Sequence, residues 1–131
     1  MEKLLVTLVE TDPNTGHAKI RQVALKEGVK VAGLVQVIFT PNEKPNSPYH
    51  HPPRGEAVMM TMNQGGRRIF YWDDNCEMHF DAPQGSIVFF DDQESEIGVP
   101  TRRGHRSEKT GDLIQTNVFF ARELLGRFVE L

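Results

Sequence analysis

The chain has a single cysteine, Cys76, among 131 residues. No intramolecular disulfide can form from it, which excludes a disulfide-stapled secreted scaffold and fits a reducing compartment. An excess of positive charge is also lacking, because 15 Lys and Arg stand against 18 Asp and Glu, a formal net charge of −3. Without a basic field to displace counterions from phosphates, general nucleic-acid binding has no electrostatic support. The one local basic cluster is Arg102, Arg103, His105 and Arg106. Long apolar runs are missing as well. Met1–Glu10 mixes charges into a short apolar stretch without a signal-peptide core, so no membrane partner is expected and the cytoplasm is the expected location. There is no internal repeat, low-complexity tract or linker, and the length suits a single domain over residues 1–131.

What is present reads as strands. Hydrophobic residues make up 38% of the chain and charged ones 25%, enough apolar material for a packed core. Leu4–Glu10 and His17–Leu25 flank a stretch of turn formers, Thr11–Gly16, and predict a hairpin. Val29–Phe39 predicts a long or bulged strand. Thr40–Pro53 holds Pro41, Pro45, Pro48, Pro52 and Pro53, which forbid a central strand and predict a stiff, extended loop. Ala57–Met62 and Arg67–Trp72 predict a second hairpin around Gly65-Gly66, followed by strands at Cys76–Phe80, Ser86–Phe90 and Leu113–Phe120. Gly104–Gly111 is polar and predicts a mobile loop. Only Ala121–Leu131 has helical spacing, with Leu124, Leu125, Phe128 and Val129 on one face. Many short strands separated by turn signals predict an all-β sandwich or barrel.

The order of features from Tyr49 to Pro100 is a proline-rich loop, His50-His51, Glu56 entering a strand, a glycine turn, two strands, then Gly85-Ser86-Ile87-Val88-Phe89-Phe90 and an acidic loop. This order resembles the cupin superfamily. There a first motif of His-x-His, a spacer, Glu and a later Gly precedes a second motif of Gly, Pro-x-Gly and His. His50 and Glu56 match the spacing of the family's first His and Glu, and Gly85 matches the start of the second motif. Pro52 stands at the second His, Asn63 at the turn glycine, Asp91 and Gln93 at the Pro and Gly, and Glu96 at the later His. The resemblance covers about half of the chain. It implies a double-stranded β-helix, or jelly-roll barrel, with a short C-terminal helix, and a small-molecule site at the barrel mouth.

Side-chain parity puts Glu56, Val58, Met60 and Met62 on one face of a strand, apolar except for Glu56. A carboxylate directed into an apolar barrel needs a partner, because stranding a polar group there costs roughly 2–7 kcal/mol. Two outcomes follow: Glu56 pairs with Arg54 or Arg67, or it joins a site. His50, His51, Glu56 and Glu96 are the candidate metal ligands, a nitrogen and oxygen set suited to Fe, Mn or Zn. Glu56 and Glu96 are also the candidate catalytic carboxylates. Arg102, Arg103 and Arg106 are candidates to grip a carboxylate or phosphate, and Tyr71 belongs to an aromatic set suited to a small organic ligand. Cys76 and His79, three apart on a strand, face opposite ways, and Cys76 is expected in the core.

Three functions therefore stand side by side. One is a metal-dependent dioxygenase or isomerase. Another is a metal-free isomerase or binding module for a sugar or organic acid, and the last is a structural or partner-binding barrel. The apolar terminal helix offers a surface for a homodimer.

Overall fold

The computed structural model describes residues 4–28, 33–40, 48–73 and 75–131. Among the described residues, nine strands run in the order β1 (Leu5–Thr11), β2 (Ala18–Ala24), β3 (Leu34–Thr40), β4 (Glu56–Gln64), β5 (Arg67–Asp73), β6 (Cys76–Ala82), β7 (Ile87–Asp91), β8 (Arg106–Lys109) and β9 (Leu113–Ala121). Two 3-10 turns, Pro100–Arg102 and Arg122–Leu124, and one α-helical turn, α1 (Leu125–Phe128), complete the elements among the described residues. The fold is all-β, as the alternation of turn formers and apolar runs predicts. Residues 29–32 of the predicted third strand and 41–47 of the predicted proline-rich loop lie outside the described residues.

The strands form a six-stranded sheet, β2-β1-β7-β4-β9-β3, and a three-stranded sheet, β6-β5-β8. All pairs are antiparallel except β1 with β7. From β3 onward the pairing is nested. The β5–β6 hairpin is innermost, β4 pairs with β7 around it, His50 bridges His105 outside that, and β3 with β9 is outermost.

The predicted parity of β4 decides where the core lies. Val58, Met60 and Met62 are 7%, 5% and 0% exposed on its inward face. With Val9, Ile69, Val88, Phe90 and Leu113 they fill the space between the sheets. The alternate face of the large sheet carries Val6, Leu8, Ala57, Phe89 and Phe120, and the chain's own C-terminal segment covers it with Leu125, Phe128 and Val129. Phe128 lies 4.5 Å from Phe120 and 5.6 Å from Phe89, centroid to centroid. The predicted helix shortens to residues 122–128, a 3-10 turn running into α1, because the chain beyond Phe128 pairs instead with the end of β2. Val129 bridges Leu25, and the Glu130 N–H donates to the Ala24 carbonyl at 2.8 Å. β-Branched Val129 suits that extended backbone.

Two local expectations fail. The predicted mobile loop at 104–111 contains β8, whose residues 106–109 pair with β5. It has no apolar residue to announce it, because its inward Ser107 meets polar Arg67 and its outward Arg106 and Glu108 pair with each other. Cys76 is exposed rather than in the core. It begins β6, the edge of the small sheet, where residues 76–79 are all exposed.

Candidate functional site

The nested pairing leaves a cavity of about 240 Å³ between the sheets. Its apolar wall is Val58, Met60 and Phe119 with Ile38 of β3, and its polar wall includes His50, His51, Arg67, His105, Gln115 and Asn117. That volume lies below the usual range for drug-sized ligands and suits a smaller molecule.

His105 is the best-positioned titratable group of this wall. It opens β8 and is 6% exposed. Its ring stacks on Phe90 at 4.1 Å and meets the His50 ring edge-on at 4.5 Å. Nδ1 lies 2.5 Å from Oδ2 of Asp92, a residue with no solvent exposure. An ionised carboxylate only accepts, so the bond fixes the proton on Nδ1 and leaves the Nε2 lone pair of His105 available as a base. Asp92 Oδ1 has no hydrogen-bond partner among the described residues. A buried carboxylate oxygen without a donor is costly, and such cost is retained most often where the group has a task.

The approach of His50 to His105 depends on Gly104. Its φ is 74°, and a Cβ there would overlap the His50 carbonyl. Without that side chain the two histidines exchange backbone hydrogen bonds, at 2.9 Å from the His50 N–H and 3.0 Å from the His105 N–H. His50 Nδ1 lies 3.2 Å from the Pro48 carbonyl, and His51 Nδ1 lies 2.8 Å from that of Pro52. Carbonyls only accept, so both rings also carry the proton on Nδ1. Although much of its surface reaches solvent, the His50 imidazole is held below its usual pKa of 6.5, chiefly by the protein packed around it and next by His105. It is neutral at pH 7.

The floor is a polar relay. Buried Arg67 donates from Nε to Gln115 Oε1 at 2.7 Å and from a terminal nitrogen to Ser107 Oγ at 3.0 Å. Gln115 Nε2 donates in turn to Asn117 Oδ1 at 2.7 Å. The alternation of β9 makes this relay, since Leu113, Gln115 and Asn117 are its inward residues.

Of the residues singled out from the sequence, the structure brings His50 and His51 to the cavity. The others lie elsewhere. Glu56 is half-buried at the start of β4, where its carbonyl accepts from Gln93 at 2.6 Å. Glu96 is exposed beside a separate hollow with Arg54, Arg103 and Arg122. Arg102 covers the Trp72 ring at 4.3 Å. Arg106 covers Phe70 at 3.9 Å and pairs with Glu77 at 3.0 Å. Hydrogen bonds from Arg106 and then Tyr49 hold the Glu77 carboxyl below its ordinary range. Tyr71 is half-buried against Phe80 in a hollow shared with His17. Among the described residues, no three His, Cys, Asp or Glu side chains form a group able to hold a metal ion.

Asp92 and His105 are the candidate site residues that the sequence motifs do not single out. A signal for Asp92 existed, since Val88, Phe90 and Asp92 alternate, and continuing the β7 parity by one step turns Asp92 towards the cavity. His105 sat in the segment taken for a loop.

No family model, curated protein or solved structure matches this chain.

Proposed function

We propose that the chain is a jelly-roll barrel of the cupin kind that binds a small sugar or organic acid in the cavity between its sheets and moves a proton on it without a catalytic metal. Nested strand pairing supports the fold, because a chain that folds back on itself and wraps as a double strand pairs its outermost strands last and its innermost first. The observation that carries the function is the Asp92–His105 hydrogen bond at the cavity wall. It pairs a base of fixed tautomer with a buried carboxylate that stabilises the imidazolium formed when the base takes a proton. Phe90 holds the ring in plane, and neutral His50 beside it can receive a hydrogen bond from the ligand or relay the proton. The relay of Arg67, Gln115 and Asn117 presents polar atoms that orient an oxygen-rich molecule. Isomerisation by proton abstraction next to a carbonyl is the reaction class this set supports.

A second reading has one specific observation behind it. The Nδ1 atoms of both His50 and His105 are occupied by acceptors, the outer-shell arrangement that metal-bound imidazoles have. In that reading the two Nε2 atoms would hold Fe, Mn or Zn, with ligand or solvent oxygens completing the shell.

One experiment separates the two. The protein is incubated in D2O with a panel of small 2-oxo acids, 2-hydroxy acids and aldoses, and exchange of their acidic C–H protons is followed by NMR, before and after chelation with elemental analysis of each sample. Exchange that persists in metal-free protein is the expected result. Exchange that vanishes on chelation and returns with Fe, Mn or Zn would transfer the site to the second reading, and no exchange or binding with any compound would remove both.

A further inference from the structure

The outer face of the large sheet is apolar along most of its width, yet the C-terminal segment covers only part of it. Ala57, Phe89 and Phe120 are sealed beneath Leu125, Phe128 and Val129. The same face continues across β4 and β9 onto β3. Register places Met59 of β4 and Val35 of β3 on either side of Val118, and Val37 and Phe39 opposite Thr116 and Ile114 of β9. Directly paired residues share a face, so these side chains form one patch. Val35, Val37 and Phe39 are 59%, 66% and 61% exposed. No charged residue interrupts these rows, and among the described residues β3, sequence LVQVIFT, is one of the sheet's two edges.

We propose that this face binds a second copy of the same chain, forming a two-fold symmetric dimer in which the β3–β9 faces of two protomers stack. Three features favour a copy over a different partner. The patch is uncharged, so two copies carrying the chain's net negative charge bring no like charges together at its centre. The rows are made of similar β-branched and aromatic residues, so one patch complements itself across a two-fold axis near Val37, the arrangement an isologous interface needs. Sheet faces with such rows pack on one another about 10 Å apart. Val35, Val37 and Phe39 alone expose on the order of 300 Å². A dimer of standard size takes about 800 Å² from each partner, which Ile114, Val118, Met59 and the flanking backbone of the β3 edge extend towards. The dimer would adjoin the site, because Ile38, between Val37 and Phe39, points the other way and lines the cavity. It would not use the terminal helix, which is occupied by the chain's own sheet.

Light scattering coupled to size exclusion, on the full chain over a wide concentration range, tests the idea. Dimeric wild type and monomeric Val37→Lys are the expected results, with the dimer constant weakened about 100-fold or more, as for a residue at the centre of an interface. Val35→Lys serves as a second variant, and Trp72 fluorescence and near-ultraviolet dichroism verify that each retains its fold. A wild type that stays monomeric at every concentration overturns the proposal. So does a dimer that survives both substitutions.

Discussion

Asp92→Asn will cut proton exchange on the bound ligand by about 10³ to 10⁴-fold while leaving the ligand's affinity nearly unchanged. The carboxylate does not line the cavity, so the substitution touches no ligand contact. It changes what Nδ1 of His105 meets. An amide can offer Nδ1 a donor, which reverses the tautomer and puts the proton on Nε2, where the base is needed. It also removes the negative charge that stabilises the imidazolium at a residue with no solvent exposure. His105→Gln should fall as far, and the double variant no further than either, because the two residues act as one unit. The checks are NMR-detected exchange for the rate and calorimetry for binding. If Asp92→Asn exchanges at the wild-type rate, His105 is not the base.

Gly104→Ala should destabilise the protein by about 3 kcal/mol, the sum of a left-handed backbone that side chains resist and a steric overlap that must be relieved. The added Cβ meets the His50 carbonyl, which is backbone and cannot rotate away. Relief requires parting the His50 and His105 backbones, so both hydrogen bonds between them weaken. Binding should be lost before the fold is. Thermal melting is expected to drop by about 10 °C, and ligand affinity should fall in a variant whose far-ultraviolet dichroism is unaltered at room temperature. A variant that melts and binds like wild type would show that the two histidines are held together by something else.

The sequence carried the fold further than the site. Eight of the nine strands announce themselves by apolar runs between turn formers, and the inward row of β4 follows from parity alone. β8 does not, because Arg106, Ser107, Glu108 and Lys109 satisfy their neighbours through charge and hydrogen bonds rather than burial. That one omission hid His105. Counting from Gly85 singles out Glu96, whereas the chain takes a longer path after β7 and brings His105, not Glu96, beside His50. Counting along a sequence fails wherever a loop length differs, whereas strand pairing is insensitive to it. Asp92 was legible by extending a two-residue alternation past the end of β7, a step that the adjoining Asp91 and Glu94 disguised as a solvated acidic loop. Asp91, one residue away, does point outwards and pairs with Arg122 at 3.0 Å.

The nested strand order also dictates a history for each molecule. The β5–β6 hairpin joins residues adjacent in sequence and can zip on its own, and it shortens the free chain that β4 and β7 must close. Each later pairing inherits that shortening, so the entropy of closing a long loop is met in instalments. Leu34 and Phe119, at the outside of the nest, are expected to meet late and part early. Native-state hydrogen exchange should therefore find the amides of β3 opening at the lowest free energy of any strand, with β5 and β6 among the last to open. Since β3 carries Ile38 into the cavity wall, a monomer in which that strand breathes should present a wider cavity mouth than one in which a partner pins it.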